Sequence, residues 1–162
     1  MAHEASFNEL MAQLDYSMLV VTAVCDDERS GCLVGFATQV SIDPGRFLVC
    51  ISDKNRTYRV ARQAKALVVH FVPADQGELA ELFGGETGDE IDKFARVDWR
   101  PGPGGAPIVT ALENWFAGQV IDQFDFGDHH GFLLGPIAGQ SGRGEGSFTF
   151  HRAKRIEPGH EP

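Results

Sequence analysis

Ser52-Asp53-Lys54-Asn55-Arg56-Thr57 follows directly on the apolar run Phe47-Leu48-Val49-Cys50-Ile51. Hydroxyl and amide side chains and two cations thus meet where a strand ends and a helix begins. The first amide hydrogens of a helix are unpaired and its dipole is positive there, so such a junction attracts anions. A phosphate fits that chemistry. So does a plainer role, in which Ser52 or Asn55 caps the helix and the cations face water. These six residues alone leave both open.

Two further segments carry candidate chemistry. In Gly127-Asp128-His129-His130, Asp128 is placed to hold the His129 imidazole in one tautomer, so that His129 can pair with a polar group or supply a proton. A solvated turn is the alternative. In Leu33-Val34-Gly35-Phe36-Ala37-Thr38-Gln39-Val40-Ser41, Gly35 lets backbone approach a flat ligand, and Thr38, Gln39 and Ser41 offer hydrogen bonds. An ordinary strand with polar residues facing out explains the same letters. No metal site is indicated, because adjacent histidines in a turn point apart and no third ligand has helpful spacing. His70, in the run Leu67 to Val72, reads as a satisfied core residue. Cys25, Cys32 and Cys50 all lie in apolar runs without paired spacing, which suggests buried reduced thiols in a cytoplasmic protein. The phosphate loop, the Gly-x-Gly-x-x-Gly fingerprint and the Gly-x-Ser-x-Gly elbow are missing.

The elements that must position these residues are mostly strands. The 162-residue chain is expected to form one domain, and its 19 glycines punctuate β-type runs. Met18–Cys25 reads as a buried strand, Cys32–Ile42 as its returning partner, and Arg46–Ser52 as a third strand after the turn Asp43-Pro44-Gly45. Glu113–Phe126 and Gly131–Ala138 read as a hairpin about the histidine turn, and Ser147–His151 as a last strand. Helical spacing predicts short helices over Ser6–Leu14, Thr57–Ala66 and Asp75–Phe83. Gly84–Asp92 and Arg100–Pro107 read as loops, the first of them mobile. Consecutive hairpins with inserted helices favour a closed antiparallel barrel with peripheral helices. A formal net charge of −9 argues against nucleic-acid or anionic-membrane partners, and no apolar run reaches the ~18 residues of a membrane span.

In order and spacing, several segments resemble the flavin reductase family of FMN-binding split barrels. They are Val20-Val21-Thr22-Ala23, Gly31 through Ser41, Asp43-Pro44, Ser52 through Thr57, Asp92-Lys93-Phe94, Gly105-Ala106-Pro107-Ile108 and Gly127-Asp128-His129. The resemblance covers roughly residues 15 to 138. It implies a mainly β, Greek-key-type split barrel, a homodimer, and FMN or FAD at the dimer interface with NAD(P)H as co-substrate. It assigns Val34, Gly35, Phe36, Ala37, Thr38, Gln39 and Ser41 to the isoalloxazine and ribityl chain. Ser52, Lys54, Asn55 and Thr57 would meet the flavin phosphate, and His129 would lie near the reacting rings as the catalytic residue. The implied activity is hydride transfer from nicotinamide to flavin, with reduced flavin supplied to a monooxygenase. The chain departs from the family pattern at Gly31-Cys32-Leu33-Val34-Gly35, which lacks two hydroxyls, at Gly45, at Asp15-Tyr16-Ser17, and across 139–162, an atypical extension. The lost hydroxyls keep a second reading open, a flavin- or deazaflavin-binding oxidoreductase or electron carrier that does not use NAD(P)H. A third is a binding or scaffold module whose ligand site has decayed.

Overall fold

Leu19-Val20-Val21-Thr22-Ala23 is apolar throughout rather than alternating, the mark of a strand covered on both faces. In the computed structural model, which describes residues 2–85 and 91–156, it forms β1 (Leu19–Cys25), whose first five residues are buried. Leu19, Val21 and Ala23 point into one core cluster with Val49, Ile51, Leu67, Phe132 and Leu134. Val20 and Met18 point the other way, into a second cluster with Val72, Phe83, Phe94, Leu112 and Phe148.

β1 is flanked by β2 (Glu28–Val34) and β5 (Ala66–Phe71) in a seven-stranded antiparallel sheet. Beyond β5 come β8 (Trp115–Asp125), β9 (His129–Gln140), β4 (Arg46–Ser52) and finally β3 (Ala37–Ser41). The long β8–β9 hairpin carries two register shifts, at Ala117/Gly118 and Val120/Asp122. Bulges of this kind bend and twist a strand. The two edges of the sheet, β2 and β3, are consecutive in the chain and joined only by Gly35-Phe36. The barrel is therefore split, and the chain itself crosses the split.

Helix α2 (Arg56–Ala61) touches β1, β2 and β4 and sends Val60 and Ala61 into the first core, joined by Ala64 just beyond it. Helix α3 (Gly77–Gly85) buries Ala80 and Phe83 in the second. The same cluster receives Phe148 and Ala153 from the C-terminal segment that holds α4 (Phe150–Ala153). Helix α1 (Ala2–Gln13) buries no side chain, and its Phe7, Leu10 and Met11 are exposed.

The expected mainly β, antiparallel split barrel is what the chain builds, but it is not the closed barrel that the hairpin pattern favoured, because β2 and β3 do not pair, and there are local corrections. Cys32–Ile42 is not one strand, because β2 pairs with β1 whereas β3 pairs with β4, so the chain must break between them. Arg100–Pro107 is not structureless: β6 (Trp99–Pro101) and β7 (Pro107–Val109) form a two-stranded ladder across a 3-10 turn at Pro103–Gly105. Ser147–His151 contributes a single bridge, Ser17 to Thr149, before the chain turns into α4. Gly84 and Gly85 close α3, and the rest of the expected mobile loop falls largely on 86–90, outside the described residues.

Candidate functional site

The split opens into a cavity of about 410 Å³ whose lining includes Cys32 to Val34 of β2, Gly35 and Phe36 of the crossing, and Cys50 to Ser52 of β4. Asn55, Asp128 and His129 stand at its polar side, and Tyr16, Met18 and Phe150 at an apolar one. The ladder between β4 and β9 sets Ser52 opposite His129. A further bond, Asp53 N–H to the Asp128 carbonyl at 2.9 Å, ties the hairpin tip to the turn before α2. Two segments 75 positions apart are thereby made neighbours by one register.

Within the opening run the capping role is what the structure shows. Asn55 caps α2, its Oδ1 accepting from the Thr57 amide at 2.9 Å. Ser52 Oγ accepts a long bond of 3.4 Å from the Lys54 amide. Arg56 is drawn away to Glu28 on β2, with Nη2 at 3.0 Å from the carboxylate. Lys54 is exposed beside the cavity's polar side, and its charge contributes to holding Asp128 ionised. Thr57 is fully buried and shares a 2.8 Å hydrogen bond with Ser30. It anchors α2 to β2 and does not line the cavity.

At the hairpin tip, Gly127 has φ of 148°, a conformation that side chains disfavour, and this turns Asp128 back toward the histidine. Asp128 Oδ1 lies 2.8 Å from His129 Nδ1. That hydrogen bond is the main reason the Asp128 carboxyl lies below its usual range. An ionised Asp128 accepts from Nδ1–H, so Nε2 is left as the ring nitrogen with no hydrogen-bond partner among the described residues. The imidazole tilts against Phe36 with centroids 4.8 Å apart. His130 faces the other way: its nitrogens meet Asp125 and Gln123 at 2.6 and 2.8 Å, and its ring packs edge-on against Tyr58 and Phe132. The two histidines do point apart.

Of the expected site residues, Val34, Gly35, Phe36, Ser52, Asn55 and His129 line the cavity. Ala37, Thr38, Gln39 and Ser41 lie beyond it on edge strand β3, where Thr38 and Gln39 are exposed. The missing side chain of Gly35 is used by the protein itself, since a Cβ there would stand 3.0 Å from Tyr16 Cε2 and 3.2 Å from Met18 Sδ. Sequence reasoning passed over Tyr16 and Phe150, whose rings stack 4.9 Å apart with an interplanar angle of 17°. It also undervalued Lys93, buried with Nζ donating to the Gly31 and Phe83 carbonyls at 3.1 and 3.0 Å. Burial pushes the Cys32 thiol up to about 11 and raises Cys50 as well, which disfavours their thiolates.

An open antiparallel barrel with an apolar slot at its split, and a polar turn bearing a lysine beside it, suits a planar ligand with an anionic tail. The chain belongs to the flavin reductase family, the "Flavin reductase like domain" matching residues 11–155. It is 26% identical to the FMN reductase (NADH) RutF of Acinetobacter baylyi, over 96% of this chain and 82% of that protein. It is 30% identical to the reductase subunit HsaB of a flavin-dependent monooxygenase from Mycobacterium tuberculosis, over 76% of this chain and 65% of that one. The chain spans about half the length of other curated relatives, 44% and 48% of two from Rhizobium meliloti. A flavin reductase domain protein from Arthrobacter sp. FB24 superposes with a TM-score of 0.82 at 20% identity, over 92% of this chain and 91% of that one, which shows the shared fold.

Proposed function

We propose that this protein is an NAD(P)H-dependent flavin reductase that binds FMN or FAD and passes reduced flavin to a separate monooxygenase component. The observation that carries the reading is the convergence, at one apolar slot, of the Ser52–Asn55 turn with an Asp128-oriented His129. The donor set fits a flavin. Ser52 and Asn55 present polar groups to the slot, with the Lys54 cation beside them, for a phosphate. Val34, Gly35 and Phe36 form a wall for the ring system. The flavin, when bound, supplies an acceptor for the hydride and its electron pair, and the nicotinamide leaves oxidised. The protein's part is to hold two rings at close range and exclude water. His129, with Nδ1 committed to Asp128, offers Nε2 to a polar group of either ring.

Ala37, Thr38, Gln39 and Ser41 stand open on an edge strand beside exposed Val40 and Ile42. That supports a homodimer in which a second copy covers β3 and these residues meet the flavin across the interface. Reduced thiols support a cytoplasmic setting, and no helix among the described residues is long and apolar enough to cross a membrane. We read 1–162 as one domain of this kind.

The test is an absorbance titration with FMN and FAD, followed by anaerobic NADH or NADPH. Flavin binding and bleaching by nicotinamide are expected. Binding without bleaching would favour the electron-carrier reading, and no binding of FMN or FAD would sink the reductase reading.

A further inference from the structure

The C-terminal segment is fastened to the chain just before β1, and to the turn after β5, by hydrogen bonds. Met18 N–H donates to the Phe148 carbonyl at 2.8 Å and Phe150 N–H to the Tyr16 carbonyl at 2.9 Å. His151 N–H donates to Asp15 Oδ1 at 3.0 Å across 136 residues of sequence, and Arg152 Nη1 donates to the Ala74 carbonyl at 2.7 Å. The His151 amide is the leading reason the Asp15 carboxyl lies below its ordinary range. Phe148 is buried in the core beneath. Phe150, the residue two along, is only part-buried and reaches the cavity.

The strap thus spends a buried anchor and four hydrogen bonds to deliver one aromatic ring. That ring stacks nearly parallel on Tyr16, whose own edge rests over the Cα of Gly35. Gly35-Phe36 therefore lies between two aromatic groups, the Tyr16–Phe150 stack and the His129 ring. The cavity lining also includes the apolar Met18, Leu33 and Val34, whereas His151, 6.0 Å from the Phe150 ring, and Asp15 are not among the lining residues. Apart from the Tyr16 phenol, the cavity's side-chain hydroxyl, amide and carboxylate groups belong to Ser52, Asn55 and Asp128.

We propose that Phe150, backed by Tyr16, is a specificity-determining residue for the reductant, forming the apolar wall against which the dihydronicotinamide ring is held. This rests on the flavin reductase reading. A flavin has its own anchor through its phosphate, whereas a second ring entering the slot depends on stacked surface for its orientation. Truncating a face of this kind removes binding shared by ground and transition states, so KM rises while kcat holds.

Phe150→Leu keeps apolar volume and loses the ring; Phe150→Tyr keeps the ring. For Phe150→Leu we expect the KM for NADH to rise about five- to tenfold, the scale of one lost aromatic contact. FMN affinity by fluorescence quenching should stay at the wild-type value, and any fall in melting temperature should be mended by Phe150→Tyr. Titration of the flavin-loaded protein with NAD+, which undergoes no turnover, should show the same weakening. Phe150→Tyr should restore both. An unchanged KM and NAD+ affinity in Phe150→Leu would overturn the assignment, as would weakening of FMN in place of NAD+. A fall in melting temperature that Phe150→Tyr fails to mend would also overturn it, by making the ring a packing element. Failure of the wild-type protein to bind flavin would instead strike the parent reading, and this one with it.

Discussion

His70 offers the most quantitative test of the packing that holds the site together. Its ring is fully buried, with Nδ1 2.9 Å from the Val20 carbonyl and Nε2 accepting from the Val109 amide at 2.9 Å. One nitrogen donates and the other accepts, so the bridge between β1 and β7 exists only for the neutral imidazole. Burial pushes the histidine down from 6.5 to about 4. With the folded pKa below the unfolded one, the unfolded chain takes up the proton first. The contribution to stability is complete above pH ~6.5 and is lost as pH falls toward ~4. At ~1.4 kcal/mol per pH unit, going from pH 7 to pH 5 removes about 2 kcal/mol. That is a sizeable share of the ~5–15 kcal/mol typical of a folded domain. Urea melts of wild type and His70→Gln at the two pH values isolate it. The variant is less stable at both, but the gap between the two proteins should narrow by about 2 kcal/mol at the lower pH. A gap that stays constant would show that His70 is not held neutral by the fold and would refute the argument.

Two other substitutions probe the site and its support. Lys54→Ala should weaken FMN about fivefold, ~1 kcal/mol for one exposed charge on a phosphate, with an effect that shrinks in high salt; an unchanged dissociation constant rejects the phosphate role. Lys93→Met should cost ~1–3 kcal/mol in a urea melt, because the ammonium that bonds the Gly31 and Phe83 carbonyls is lost from a buried position. Wild-type stability there would mean that water replaces the ammonium without penalty.

Much of the sheet was legible because apolar runs ended at turn residues. Arg46–Ser52 was read to the residue, and Met18–Cys25 within one position. The break at Gly35-Phe36 was not read, since a lone glycine is the only irregularity between Cys32 and Ile42 and was taken for a ligand approach. What splits it is tertiary: Leu33 is committed to Val20 on β1 and Thr38 to Leu48 on β4, at opposite edges of the sheet. Thr57 was taken for a ligand-facing hydroxyl because residue type says nothing about which side of a helical turn it leaves. The pairing of Tyr16 with Phe150 joins chain ends that no local pattern connects. Lys93 was passed over for the opposite reason, because lysines are expected outside and a buried one has no local signature.

The histidine pair shows how narrowly the site depends on register. His129 and His130 are adjacent, so they project to opposite faces of β9. Ser52 opposite His129 and Ile51 opposite His130 fix which of them faces the cavity. A slip of one residue would exchange them, placing the imidazole bonded to Asp125 and Gln123 at the slot and sending His129 toward Tyr58. The run Gly131-Phe132-Leu133-Leu134 prevents this, because Phe132 and Leu134 are fully buried whereas Leu133 is only part-buried. The slip would also put Gly131 and Leu133 in the places of those two side chains, and filling the core is worth ~1.5–3 kcal/mol per large apolar group. The apolar core of the barrel, more than any contact within the slot, selects the histidine that faces the cavity.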